Sequence, residues 1–180
     1  MRKTEIVAWT EKWNEMYHIE SEKIKRIFYD EIIDIYHIGS TSVPQIGYGK
    51  AIIDILVVVR EICNIDLYNK QMVEMGYVPR GEQGIEERRY FSKGGFNRTH
   101  HVHVYQNGNI NVEKHLAFKK YLIKHPQDAE QYGKLKIKLA KEFPSDTHQY
   151  QRGKEQFVNE LMEKAIKWAA QSKKTLEEDQ

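Results

Sequence analysis

Asp54 is the residue of this chain that most demands a chemical reason. It stands inside Ile52-Ile53-Asp54-Ile55-Leu56-Val57-Val58-Val59, a continuous apolar run of the kind buried on both faces of a sheet. An ionised carboxylate there is costly unless a cation or hydrogen bonds compensate it. Just upstream lies His37-Ile38-Gly39-Ser40-Thr41-Ser42-Val43-Pro44, a small-residue turn after an apolar segment. Its glycine lets backbone N–H groups approach phosphate oxygens, and the Ser40 and Thr41 hydroxyls add hydrogen bonds. The pairing suits a triphosphate and a metal ion. Asp54 is then the expected catalytic and metal-binding residue, with Gly39, Ser40, Thr41 and Lys50 on phosphate.

Two imidazoles extend the set. In His100-His101-Val102-His103-Val104 the side chains alternate, so His101 and His103 share one face of a strand. Beside a carboxylate they form a plausible divalent-metal site, since imidazole suits zinc, manganese or nickel. The expected cofactor is a divalent ion, magnesium or manganese, with zinc as a further option. His37 reads equally as a phosphate donor, a supporting group or a hydrogen-bonded core histidine. Further along, Tyr132-x-x-x-Lys136 and Tyr150-x-x-x-Lys154 each place a lysine on the apolar stripe of a helix. Such a lysine either snorkels to the rim or meets an anion, and two of them in matching positions point to phosphate. Arg88 and Arg89 lie in a glycine-rich, charged segment and read as solvated charges on an exposed hairpin, with a mobile phosphate clamp as the alternative. Two other motifs fail: Gly49-Lys50-Ala51 lacks the parts of a Walker loop, and Gly47-Tyr48-Gly49 lacks the third glycine of a dinucleotide fingerprint.

The elements that must position these groups follow from periodicity. A helix is expected from a Thr10 cap to about Tyr29, with Trp9, Trp13, Met16, Tyr17, Ile24, Ile27 and Phe28 as its apolar stripe. Strands follow at 32–38 and 52–59, then a helix over 66–75 stopped by Gly76. Residues 81–97 suggest a flexible flap with a strand at 88–93, and 99–106 form another strand closed by Asn107-Gly108-Asn109. Helices are expected over about 111–124, 127–143 and 146–171. The class is α+β. A small mixed sheet with its N-terminal helix takes residues 1–110, a C-terminal helical bundle over 111–171 packs on the same domain, and 172–180 form a frayed tail.

With 180 residues the chain is long enough for one domain with a real core. A net charge of +2 argues against a dedicated nucleic-acid coat and for a small-ligand surface. Nucleic acid stays open as a partner, and no oligomeric state can be read. Cys63 is the sole cysteine, which excludes an internal disulfide or a cysteine-based zinc site. The N-terminus has no apolar signal core and no stretch is long enough to span a bilayer, so the expected location is cytoplasmic, away from membranes.

These blocks together resemble the GrpB family: His37 to Pro44, Lys50-x-Ile-Ile-Asp54-Ile-Leu, Thr99-His-His-Val-His103-Val, His115-Leu-Ala-Phe-Lys-Lys-Tyr-Leu, His125-Pro, and the two Tyr…Lys pairs. The likeness covers about residues 4–168. It implies bacterial proteins of the nucleotidyltransferase superfamily, with a small mixed sheet flanked by helices. A related domain is fused to dephospho-coenzyme A kinase in some bacteria, a hint of nucleotide or coenzyme metabolism. Family members usually show Val-Pro-Gly-Leu and Ala-Lys-Pro, where this chain has Val43-Pro44-Gln45-Ile46 and Gly49-Lys50-Ala51. Active members of the superfamily present two carboxylates two apart on one strand, holding two metal ions. Here the second position is Leu56. The resemblance therefore implies a nucleotide or other phosphorylated ligand bound with a metal, and transfer of a nucleotidyl group to an acceptor. A module that binds without transferring and a metal-dependent phosphohydrolase are the alternatives.

Overall fold

The computed structural model describes the backbone of residues 4–178 and side chains as far as Ser172. The chain adopts the expected α+β class. Among the described residues seven strands and five helices follow in the order β1 (Val7–Ala8), α1 (Lys12–Ile27), β2 (Ile32–Ile38), β3 (Tyr48–Gly49), β4 (Ile53–Val59), α2 (Asn69–Glu74), β5 (Tyr77–Pro79), β6 (Arg88–Lys93), β7 (His100–Gln106), α3 (Ile110–Lys124), α4 (Pro126–Glu142) and α5 (Thr147–Glu178). Short 3-10 turns occupy Ser40–Ser42, Pro44–Ile46 and Ile62–Tyr68.

The main sheet has the order β2-β4-β7-β6-β5. Its pairs are antiparallel except β4 with β7, which run parallel. Register aligns Asp54 with His101 and Leu56 with His103, and on the far side of β7 it aligns His101 with Ser92 and His103 with Tyr90. Because side chains alternate, one face of the sheet carries Asp54, His101, His103, Tyr90 and Ser92. The opposite face is apolar. There Ile53, Ile55, Val57, Val59, Phe91, Val102 and Val104 pack with Trp13, Ile24 and Phe28 of the N-terminal segment and with Ile65, Met72 and Tyr77. A second core joins Val43 and Ile46 to Tyr121, Leu122, Ala129, Tyr132, Leu161 and Ala165 of the last three helices. That packing brings α4 and α5 over the edge of the polar face.

Several expectations need correction. The first helix begins at Lys12, and Thr10 contributes only a long contact from Lys12 N to its Oγ1 (3.4 Å). Trp9 is therefore outside the helix; β1 pairs with β3, and Trp9 Nε1 donates to Thr41 O at 2.9 Å. The helix expected over 66–75 divides into the 3-10 segment Ile62–Tyr68 and α2. An edge strand, β5, was invisible because Gly76 and Pro79 punctuate it. The last helix continues through residues expected to fray as far as Glu178, and 179–180 lie outside the described residues.

Candidate functional site

Gly39 ends β2 with φ 69° and ψ −173°, a conformation essentially reserved for glycine. A Cβ there would lie 2.5 Å from Asp54 Oδ2, so the turn and the carboxylate are in direct contact. The turn is locked from behind. Thr41 Oγ1 donates to Ile52 O (3.3 Å) and pairs with His37 Nε2 (2.9 Å). Thr41 is 1% exposed, and its hydroxyl is already engaged on both sides. His37 stacks on Tyr17 at 4.8 Å, and burial, helped by the charge of Lys119, lowers its pKa to about 4. His37 is thus both a hydrogen-bonded core histidine and a support for the turn through Thr41.

Asp54 Oδ1 lies 3.0 Å from His101 Nδ1 and 3.6 Å from His103 Nε2, with 28% of its side chain exposed. Burial opposes ionisation, but the hydrogen bonds and charge of the two imidazoles outweigh it and hold the carboxyl well below the usual carboxylate range. One ligand atom from each of Asp54, His101 and His103 falls within 4.8 Å of the others, close enough to share a cation. One carboxylate with two imidazoles matches manganese, zinc or nickel better than magnesium, which prefers several oxygen ligands. Leu56, two residues along β4 from Asp54 and on the same face, is 0% exposed.

A cleft of about 220 Å³ opens beside Asp54, lined by Ser40, Lys50, His101, Lys136, Tyr150 and Lys154 among others. Sequence separation here is large. Helix α4 delivers Lys136, whose Nζ donates to Ser40 Oγ and, at 3.5 Å, to Tyr48 O. Lys136 is only 3% exposed, and its ammonium sits 4.4 Å from the Tyr132 ring centroid. Lys50 and Lys154 flank the Tyr150 ring at 4.4 Å and 5.6 Å. Burial first, then repulsion from Lys154 and Lys50, drives the Lys136 pKa well down, with Asp54 the opposing influence. Burial also lowers Lys154. Among the described residues neither Lys136 nor Lys154 has a carboxylate within ion-pair distance. A cationic pocket so poorly balanced favours an anion.

Gly39, Ser40, Thr41, Lys50, Asp54, His101, His103, Lys136 and Lys154 thus gather at one end of the polar face, whereas His37 and Arg89 lie on the opposite face. Gly39 shapes the turn, Ser40, Thr41 and the lysines line the cleft, and Asp54 with His101 forms its floor, with His103 Nε2 3.6 Å from Asp54.

A family model described as GrpB protein matches residues 3–164. The chain belongs to the GrpB family. A crystal structure of conserved protein GrpB from Enterococcus faecalis superposes with a TM-score of 0.88 at 38% identity, covering 92% of this chain and 99% of that one. UPF0157 protein YqkA of Bacillus subtilis is 47% identical over 167 residues, 93% of this chain but 48% of that protein. The chain thus spans about half the length of this relative. Glutamate-rich protein GrpB of Alkalihalophilus pseudofirmus is 30% identical across 87% of this chain and 92% of its own length. No helix among the described residues is long and apolar enough to cross a membrane.

Arg88 departs from expectation. It is 6% exposed, not solvated, because Nε donates to Glu82 O (3.1 Å) and Nη2 to Gln83 O (3.0 Å) as the loop folds back over it. Its Nη1 lies 3.5 Å from His103 Nδ1. A guanidinium can only donate, so this contact places the proton of a neutral His103 on Nε2, towards Asp54. Arg89, by contrast, makes a two-pronged pair with Asp66. Its neighbour was the informative one. His115, which heads one of the family-like blocks but has no role assigned from the sequence, sits 5.5 Å from the His103 ring, its pKa pressed down to about 4 by burial.

Proposed function

We propose that this protein binds a nucleotide or other phosphorylated ligand together with one divalent metal ion, in a nucleotidyltransferase-like site. The observation that supports this most is the convergence of Lys50, Lys136 and Lys154 on a cleft whose floor is Asp54 and His101. Lys136 and Lys154 would meet phosphate oxygens as point charges, and Ser40 would orient Lys136. Asp54, His101 and His103 would hold the ion, which when bound supplies charge neutralisation to the phosphates. Ligation through His103 Nε2 would require its ring proton to stand on Nδ1, so it would break the 3.5 Å contact with Arg88 Nη1.

The reaction such a site would serve is nucleotidyl transfer. An acceptor oxygen bonds to the α-phosphorus, the α–β bridge breaks, and pyrophosphate and the hydroxyl proton depart. Buried Leu56 favours a second reading, binding without transfer, because a single carboxylate supports one metal rather than two. The test is calorimetric titration of ATP, GTP, CTP and UTP, each with magnesium, manganese or zinc, into the wild type, Asp54→Asn and Lys154→Met. Metal-dependent binding that Asp54→Asn abolishes and Lys154→Met weakens is the expected result. If no nucleotide binds with any of the metals, the nucleotide reading fails.

A further inference from the structure

The polar face continues beyond His101 and His103, and what lies there is again cationic. On β6, Ser92 is the register partner of His101 and Tyr90 of His103. Three arginines close on these two residues from separate segments. Arg80, just past the end of β5, donates its backbone N–H to Tyr90 O (2.8 Å) and its Nε to Ser92 Oγ (3.4 Å). Arg98, from the turn between β6 and β7, donates Nη1 to the same Ser92 Oγ. Arg88 lies with its guanidinium carbon 4.8 Å from the Tyr90 ring centroid. None of the three has a carboxylate within ion-pair distance among the described residues, whereas adjacent Arg89 does. Two guanidinium groups sharing one neutral hydroxyl, with a third buried beside them, repel one another without a counter-charge. A phosphate would supply that charge and satisfy their planar donor pairs.

We propose that Arg80 and Arg98, backed by Arg88, form a second phosphate subsite across the metal-binding triad from the lysines. The acceptor substrate is accordingly itself a phosphorylated compound. The Tyr90 ring, 5.5 Å and 5.2 Å from the rings of His101 and His103, floors the stretch between this subsite and the triad. Asp54 and Ser92 are two strand spacings apart, about 10 Å, room for the body of a small phosphorylated molecule between its phosphate and a reactive hydroxyl. This assignment rests on the reading of the lysine cleft as the first phosphate subsite and supplies what that reading left open, the class of acceptor.

Inorganic phosphate is the probe, titrated into the arginine-labelled protein and followed by Arg Nε–H resonances together with calorimetry. The wild type should bind two phosphates. Arg80→Met/Arg98→Met should lose the event that shifts the arginine resonances, weakening it about tenfold or more, and keep the other. Lys154→Met should do the reverse. Arg26→Met, on the exposed side of α1 away from this face, should change neither. If the double arginine variant titrates like the wild type, or Arg26→Met loses as much, the second subsite is overturned while the lysine cleft stands. If only the arginine event exists, the lysine reading fails and the arginine subsite is supported. Absence of both events refutes both.

Discussion

Replacing Gly39 with alanine tests whether the turn and the carboxylate form one unit. The backbone at φ 69° and ψ −173° is open essentially to glycine, and forcing another residue into it costs about 1–3 kcal/mol. For a chain of this size, about 2–4 °C per kcal/mol lowers Tm by about 2–12 °C. The second effect is local. The new Cβ would stand 2.5 Å from Asp54 Oδ2, about 0.9 Å inside the 3.4 Å at which ordinary contact begins. Metal–ligand distances tolerate about 0.2 Å, so a carboxylate pushed by several times that loses its place as a ligand. Manganese and zinc affinity should therefore fall about tenfold or more. Gly81→Ala is the control, since Gly81 also has positive φ (58°) but nothing within 4 Å of the place its Cβ would take. It should cost about 1–2 kcal/mol of stability and leave metal binding untouched. Thermal denaturation and metal titration of both variants decide the matter. If Gly39→Ala binds metal as the wild type does, or the two variants behave alike, the coupling is refuted.

Stability should depend on pH through His37. Its pKa falls from 6.5 to about 4 on folding, so between those values the unfolded chain holds the extra proton and stability declines as pH drops. The decline amounts to roughly 3 kcal/mol at most, and urea titrations at pH 7 and pH 4.5 should show it shrinking in His37→Gln. An undiminished decline in that variant would exonerate His37. Leu56→Asp places a carboxylate at a position that is 0% exposed on the face of Asp54, so it should destabilise the protein by several kcal/mol without metal. Manganese or magnesium should restore much of the lost Tm and raise labelled-nucleotide transfer above background; no response to metal would show that the second carboxylate is not what the site lacks.

The floor of the site was legible because strand alternation is a strict rule: two residues apart means one face, and that alone aligned His101 with His103. Lys136 and Lys154 were legible for a similar reason, through helical spacing from Tyr132 and Tyr150. The arginines were not. Arg88 becomes buried only because residues 82 and 83 fold back to offer carbonyl groups, in a loop where Gln83 and Glu87 adopt positive φ, and no local pattern announces that. Arg80 and Arg98 meet at Ser92 from opposite sides of β6, a coincidence made by tertiary pairing. Trp9 read as helical from its spacing to Trp13, yet pairing of β1 with β3 withdraws it to hold Thr41.

The long-range origin of the cleft also sets an order of assembly. Asp54 and His101 are 47 residues apart and join only when β7 enters beside β4 in parallel, whereas Lys136 must find Ser40 across 96 residues. Contacts of such span incur loop-closure entropy before they return any stability, so they form late. A chain emerging from the ribosome can pair β2 with β4 long before α4 exists. During that interval Asp54 already has its turn but lacks Lys136 and Lys154, so the cationic cleft is absent. The cleft is complete only once the last helices have packed.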